Sequence, residues 1–179
     1  NENGVVVGLS TIGSTSQATL WGPVATVNLT SLGDGTRFSQ AYALNENLQV
    51  VGSSYTGQTV GELIGTSSTT DITRAFLWQS GVIAELPPCN LYTPTNDGPT
   101  TNYHSVAMDI NDAGLIVGNS QRISGMAAVA TLWENGVPID LNTFLPEESG
   151  WVLRSAEGIN ENGDLVGFGT FNGASRAFL

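Results

Sequence analysis

The sequence predicts an all-β fold, arranged as a propeller-like array of four-stranded antiparallel sheets. Three observations lead there. Two linked phrases recur four times along the chain, always in the same order. The apolar runs are strand-sized, as in Val5-Val6-Val7, and carry no helical period. Composition agrees, with 12% of residues charged against 40% hydrophobic, and 22 glycines among many Ser, Thr and Asn. Such a chain is rich in β-branched and turn-forming residues and poor in helix formers, with no lysine at all. At 179 residues it fits a single domain, 1–179, with a real core.

The first phrase reads Asn1-Glu2-Asn3-Gly4-Val5-Val6-Val7-Gly8, then Asn45-Glu46-Asn47-Leu48-Gln49-Val50-Val51-Gly52. Its third and fourth copies are Asn111-Asp112-Ala113-Gly114-Leu115-Ile116-Val117-Gly118 and Asn160-Glu161-Asn162-Gly163-Asp164-Leu165-Val166-Gly167. The second phrase follows each copy: Ala18-Thr19-Leu20-Trp21, Ala75-Phe76-Leu77-Trp78, Ala130-Thr131-Leu132-Trp133 and Ala177-Phe178-Leu179. Starts at 1, 45, 111 and 160 leave intervals of 44, 66 and 49, so the repeats lie near 1–44, 45–110, 111–159 and 160–179. The longest interval carries its excess in residues 53–73 and 87–103, rich in Gly, Thr, Asn and Pro. Such tracts read as surface loops, which lengthen at small entropic cost.

Each repeat parses into four strands. An opening strand covers 40–44, 105–110 and 155–159. The Asn-Glu-Asn-Gly phrase then turns the chain, because Asn and Gly tolerate positive φ. Val-Val-Gly forms the second strand and Ala-Phe-Leu-Trp the third. A hairpin turn such as Glu134-Asn135-Gly136 leads to a fourth strand at 24–29, 82–86 and 137–141. Pro138 there suits an edge strand, since proline cannot donate to a ladder. Four short antiparallel strands repeated at this spacing are the pattern of a propeller blade. A β-sandwich or a solenoid of similar hairpins is the competing architecture.

The first repeat starts at its turn and the last stops inside its third strand, which makes fourteen strands, two short of four whole blades. Strands from outside residues 1–179 are therefore expected to cap both ends, from a longer parent chain or from neighbouring copies. The chain begins with Asn1 rather than methionine, and the expectation is a processed product or a segment of something longer.

These phrases resemble the HAF-type extracellular repeat family. Its units read Ala-x-x-Ile-Asn-Asx/Glx-x-Gly-x-Val-Val-Gly, then Arg-Ala-Phe-Leu-Trp, then x-x-Gly-x-x-x-Asp-Leu. Residues 74–78 and 176–179 match the second phrase closely, whereas the first and third repeats keep Ala-Thr-Leu-Trp without the arginine. Leu48 stands where the turn glycine is usual. The resemblance spans most of the chain outside the two long loops, and it implies a propeller-like fold and export to the cell surface or medium. It carries no catalytic residues to transfer.

Residues with chemical potential are few. Trp21, Trp78 and Trp133 each end the same apolar phrase and read as packing between neighbouring sheets. Trp151 lies outside that phrase, after Pro146-Glu147-Glu148-Ser149-Gly150, so a surface role is open to it. With Tyr92 and Tyr103 of the long loop it is the candidate ligand contact, and a glycan is the candidate ligand. Asn160, Asn162 and Asp164 alternate like calcium ligands, but the downstream bidentate acid is missing and the other copies place Val5, Gln49 and Leu115 at the third position. A turn explains all four copies, so no metal and no cofactor is expected. Residues 31–38 superficially resemble the Asp-box turn of sialidase propellers, with the aspartate one place late.

The lone histidine, His104, and the lone thiol, Cys89, are separated by a loop of Pro, Thr and Asn and would need to meet with a third orienting group, so no Cys–His catalysis is expected. Glu147-Glu148 reads as a solvated turn rather than an acid/base pair. Asn28-Leu29-Thr30 matches a glycosylation sequon, a match that arises freely in such a composition.

Charge narrows the partners. A net charge of −11 with five scattered arginines argues against nucleic acid. No apolar run approaches the ~18 residues of a membrane helix, so no membrane insertion is expected. A single Cys89 allows no internal disulfide. The expectation is a non-enzymatic, secreted or cell-surface structural or adhesive module that self-associates or shares strands with neighbouring copies, as in a filament. A glycan-binding propeller and a fragment of a larger propeller enzyme are the alternatives.

Overall fold

The computed structural model describes residues 1–59, 71–89, 103–122 and 127–179. They form fourteen strands in four antiparallel sheets. The first sheet holds β1 (Val6–Ile12), β2 (Thr15–Trp21) and β3 (Thr26–Thr30). The second runs β4 (Ser39–Leu44), β5 (Val50–Thr59), β6 (Asp71–Gln79) and β7 (Val82–Leu86), with its strands side by side in that order. The third repeats the pattern with β8 (Tyr103–Ile110), β9 (Ile116–Arg122), β10 (Val129–Glu134) and β11 (Val137–Asp140). The fourth holds β12 (Trp151–Ile159), β13 (Leu165–Phe171) and β14 (Ala174–Phe178). Among the described residues the sole helical segment is a 3-10 turn at Leu141–Phe144.

Turn chemistry sets the registers. Ser80-Gly81, Asn135-Gly136 and Asn172-Gly173 all have both residues at positive φ, the mirror-image turn whose twist matches that of the flanking strands. Trp78 then pairs with Ile83, Trp133 with Pro138 and Phe171 with Ala174. Because side chains alternate across a strand, each register fixes which residues face the preceding sheet and which the next.

The core lies between successive sheets. Val50 and Phe76 of the second sheet join Ala18, Leu20 and Leu29 of the first, with Val7 and Trp78 packed alongside. Val51, Ala75 and Leu86, on the other face of that second sheet, meet Ala107, Ile110, Ile116 and Trp133 of the third. Val117 and Ala130 with Leu141 repeat this against Leu153 and Ala156 of the fourth. The opening strands press against the sheet before, β4 on β1 and β2, β8 on β5 and β6, and β12 on β9 and β10. A serine at the start of β4 and β8 stitches that contact: Ala18 N donates to Ser39 Oγ and Ala75 N to Ser105 Oγ, both at 2.9 Å.

A glycine in each of β5, β9 and β13 is enforced by this layout. A Cβ on Gly52, Gly118 or Gly167 would stand 2.0, 2.0 or 2.1 Å from the carbonyl oxygen of Gln40, Val106 or Ser155 on the opening strand. No side chain fits there.

Several boundaries differ from those the sequence implied: β4 and β8 start earlier, residues 53–59 and 71–73 of the expected loop continue β5 and β6, and three further shifts have a local cause. The fourth strand of the first repeat begins at Thr26 rather than 24, because Gly22 N bonds Ala25 O and puts Val24 at an exposed turn tip. That of the third repeat ends at Asp140, whose Oδ1 accepts from Asn142 N at 2.8 Å and draws Leu141 into the 3-10 turn. The opening strand of the fourth repeat reaches back to Trp151, since bulges at Arg154 and Glu157 absorb two extra residues.

Candidate functional site

The recurring turns do more than reverse the chain. In each, the first asparagine's Oδ1 accepts the backbone N–H four residues on, at Val5, Gln49, Leu115 and Asp164, all within 3.0 Å. In the first three its Nδ2 reaches into the next repeat. Asn1 donates to Asn45 O at 3.5 Å, Asn45 to Asn111 O at 3.0 Å and Asn111 to Asn160 O at 3.1 Å. The acidic residue beside it makes a second rail. Glu46 Oε1 accepts from Glu2 N at 2.7 Å, Asp112 Oδ1 from Glu46 N at 2.8 Å and Glu161 Oε2 from Asp112 N at 3.0 Å. The result is a polarised ladder, with N–H groups aimed from each repeat to the next and carboxylates facing back.

Turn formation alone asks for positive φ late in the phrase, which Gly4, Leu48, Gly114 and Gly163 supply. It does not ask for Asn followed by an acid at the first two places of every copy. That excess of pattern is the sequence signal for the ladder, and reading the phrase as a plain turn misses it.

The calcium-like spacing is spent in the same way. Asn160 Oδ1 accepts from Asn162 N and Asp164 N, while Asp164 Oδ2 accepts from Asn160 Nδ2. Among the described residues no group of three or more His, Cys, Asp or Glu side chains is placed to hold a metal ion. Residues 31–38 are likewise a turn, with Asp34 accepting from both the N–H and the hydroxyl of Thr36. Those bonds hold the Asp34 carboxyl below its ordinary pKa.

Cys89 and His104 have separate partners. Cys89 is buried, its N–H bonded to Ser120 Oγ. Burial, with Asp140 adding like charge, pushes its thiol up to about 11. His104 Nδ1 accepts from Thr73 N at 3.0 Å, and burial plus the Arg74 charge lowers its pKa. A neutral ring that accepts through Nδ1 is a structural acceptor. Arg74 itself is buried against Glu85, Nε to Oε1 at 3.0 Å.

Trp151 borders two cavities. Half-buried at the head of β12, it packs tilted against Phe171, with ring centroids 5.2 Å apart and planes 40° to one another. On one side lies an apolar groove of about 680 Å³ between the third and fourth sheets, walled by Leu132, Leu141, Phe144, Leu165 and Phe178. On the other is a shallower concavity of about 620 Å³ bordered by Asp140, Asn142, Glu147 and Glu148. Tyr103 opens β8, with its side chain outside the described part, and Tyr92 lies outside the described residues altogether. No common site of Trp151, Tyr92 and Tyr103 can therefore be drawn. Among the described residues no helix is long and apolar enough to cross a membrane.

No protein-family model, curated protein or solved structure matches this chain.

Proposed function

We propose that this chain is a non-enzymatic structural or adhesive module of an extracellular assembly, its four sheets set as propeller-like blades of the HAF type. The observation that carries the reading is the ladder. Asparagine amides and carboxylates, side chains with chemical use, are committed to joining one repeat to the next. The same holds elsewhere: His104 is bound to Thr73, and Cys89 is buried with its thiol protonated. A scaffold that spends its polar groups on cohesion suits display or assembly better than turnover. Its partners on this reading are further copies of the same repeats.

The test is a broad screen of the purified chain against glycoside, ester and phosphoester substrates. Turnover that follows the protein through purification would overturn the proposal, and a blank screen supports it.

A second reading has one observation in its favour. Trp151 beside Asp140, Glu147 and Glu148 resembles the pairing of an aromatic platform with polar groups that suits a sugar ring. Glycan-array binding abolished by Trp151→Ala would favour it.

A further inference from the structure

The linker between the third and fourth sheets borders a concavity of about 620 Å³, with Leu145, Trp151 and Val152 among its apolar side chains. That volume lies within the range of small-molecule sites. Hydrogen bonds hold its rim in place. Asn142 accepts from Leu153 N on its Oδ1 and donates its amide to Leu153 O and Asp140 Oδ1, which pins the 3-10 turn to β12. Ser149 N donates to Pro146 O at 3.1 Å and closes the turn that carries Glu147 and Glu148. Gly150 O accepts from Asn172 N at 2.8 Å, so the linker is also tied to the turn between β13 and β14.

Charge sets this concavity apart. Asp140, Glu147 and Glu148 border it, and no arginine or histidine does. The ion pairs among the described residues join Arg37 to Asp34 and Asp71, and Arg74 to Glu85, so none neutralises these three acids. Nor do the three converge on one point, since among the described residues no such group is placed to hold a metal ion. Carboxylates spread around an aromatic side chain suit an organic cation, which is drawn to the carboxylates and to the indole alike. In a chain of net charge −11 the surrounding field adds to that preference.

We infer that this concavity takes a sugar carrying a free, protonated amine, its ring against Trp151 and its ammonium among Asp140, Glu147 and Glu148. The inference rests on the second reading above and narrows its glycan to an amino sugar. A neutral sugar would leave the carboxylates without a counter-charge, and an anionic one would be repelled.

The experiment uses the full 179-residue chain and two trisaccharides, the trimer of glucosamine and the trimer of N-acetylglucosamine. They share a sugar backbone and differ in whether the amines carry charge. Binding is followed by calorimetry and by backbone amide shifts. The expected result is saturable binding of the glucosamine trimer that shifts residues 145–152, with the N-acetylated trimer at least about tenfold weaker. Trp151→Ala, shown to be folded by circular dichroism, should abolish binding. Glu147→Gln with Glu148→Gln should weaken it by at least about tenfold. Glu2→Gln with Glu134→Gln removes the same charge from residues that do not border the concavity, and should leave affinity within about twofold. Equal or tighter binding of the N-acetylated trimer would overturn the amino-sugar inference while leaving glycan binding at Trp151 standing. No binding of either trimer by the folded chain would end both. An equal loss in the two double variants would reduce the effect to general attraction of a cation by an acidic protein, and would overturn the site.

Discussion

Leu48 sits at φ 57° in a turn whose other copies use Gly4, Gly114 and Gly163. A Cβ in the left-handed region crowds the following carbonyl oxygen, and the Leu48 side chain is 44% exposed, so packing returns little. Leu48→Gly should therefore raise stability by about 1 kcal/mol in denaturant melts; a loss would mean the leucine makes compensating contacts. The asparagines give a graded test. Asn111 is 2% exposed and bonds both Leu115 N and Asn160 O, while Asn160 is exposed and its amide bonds within its own turn. Asn111→Ala should cost roughly 2–3 kcal/mol, because it leaves buried groups unpaired, and Asn160→Ala under about 1. His104 adds a pH signature. Its folded pKa lies below the ordinary 6.5, so the unfolded chain takes up the proton first as pH falls. Its contribution is present above pH 6.5 and is lost as pH drops through the folded value. His104→Asn, with an acceptor for Thr73 N, should flatten the stability profile just below pH 6.5. An unchanged slope there would mean the ring is not held neutral.

At the scale of the element, repetition made the strands legible and single residues moved their ends. The Val-Val-Gly phrase opens β5, and the Ala-x-Leu-Trp phrase fills the second half of β6 and most of β10, because their alternation must serve two sheet contacts at once. The 3-10 turn was not legible, since it hangs on one carboxylate, Asp140, competing with the ladder for Asn142 N. Nor was the reach of β12 back to Trp151, which depends on two bulges that no alternation pattern records. That shift changes how Trp151 should behave. Trp133 is 0% exposed and donates Nε1–H to Pro87 O at 2.7 Å, so Trp133→Ala should cost roughly 3–5 kcal/mol. Trp151 is half-buried, and Trp151→Ala should cost roughly 1–2 kcal/mol, in proportion to the apolar surface it covers. Equal small losses at both positions in denaturant melts would remove Trp133 from the core.

Over the whole molecule, each sheet holds one copy of both phrases, while the opening strands β4, β8 and β12, which end before a phrase begins, pair with the strands that follow. What the phrases did not disclose was direction. The ladder is polar: each carboxylate accepts from the repeat before, and among the described residues that of Glu2 accepts from none. At the other end Val166 is 45% exposed, where its counterparts Val117 and Val51 are fully buried between sheets, and Phe168 on the same face is 51% exposed. On the assembly reading, the faces that the middle repeats bury against one another are the ones that further copies would cover. Mass against concentration addresses this most directly. Light scattering on the folded 179-residue chain, with circular dichroism confirming β-structure and very little helix, should show a weight-average mass rising above 18.7 kDa as concentration increases. A folded monomer at every concentration would contradict the account.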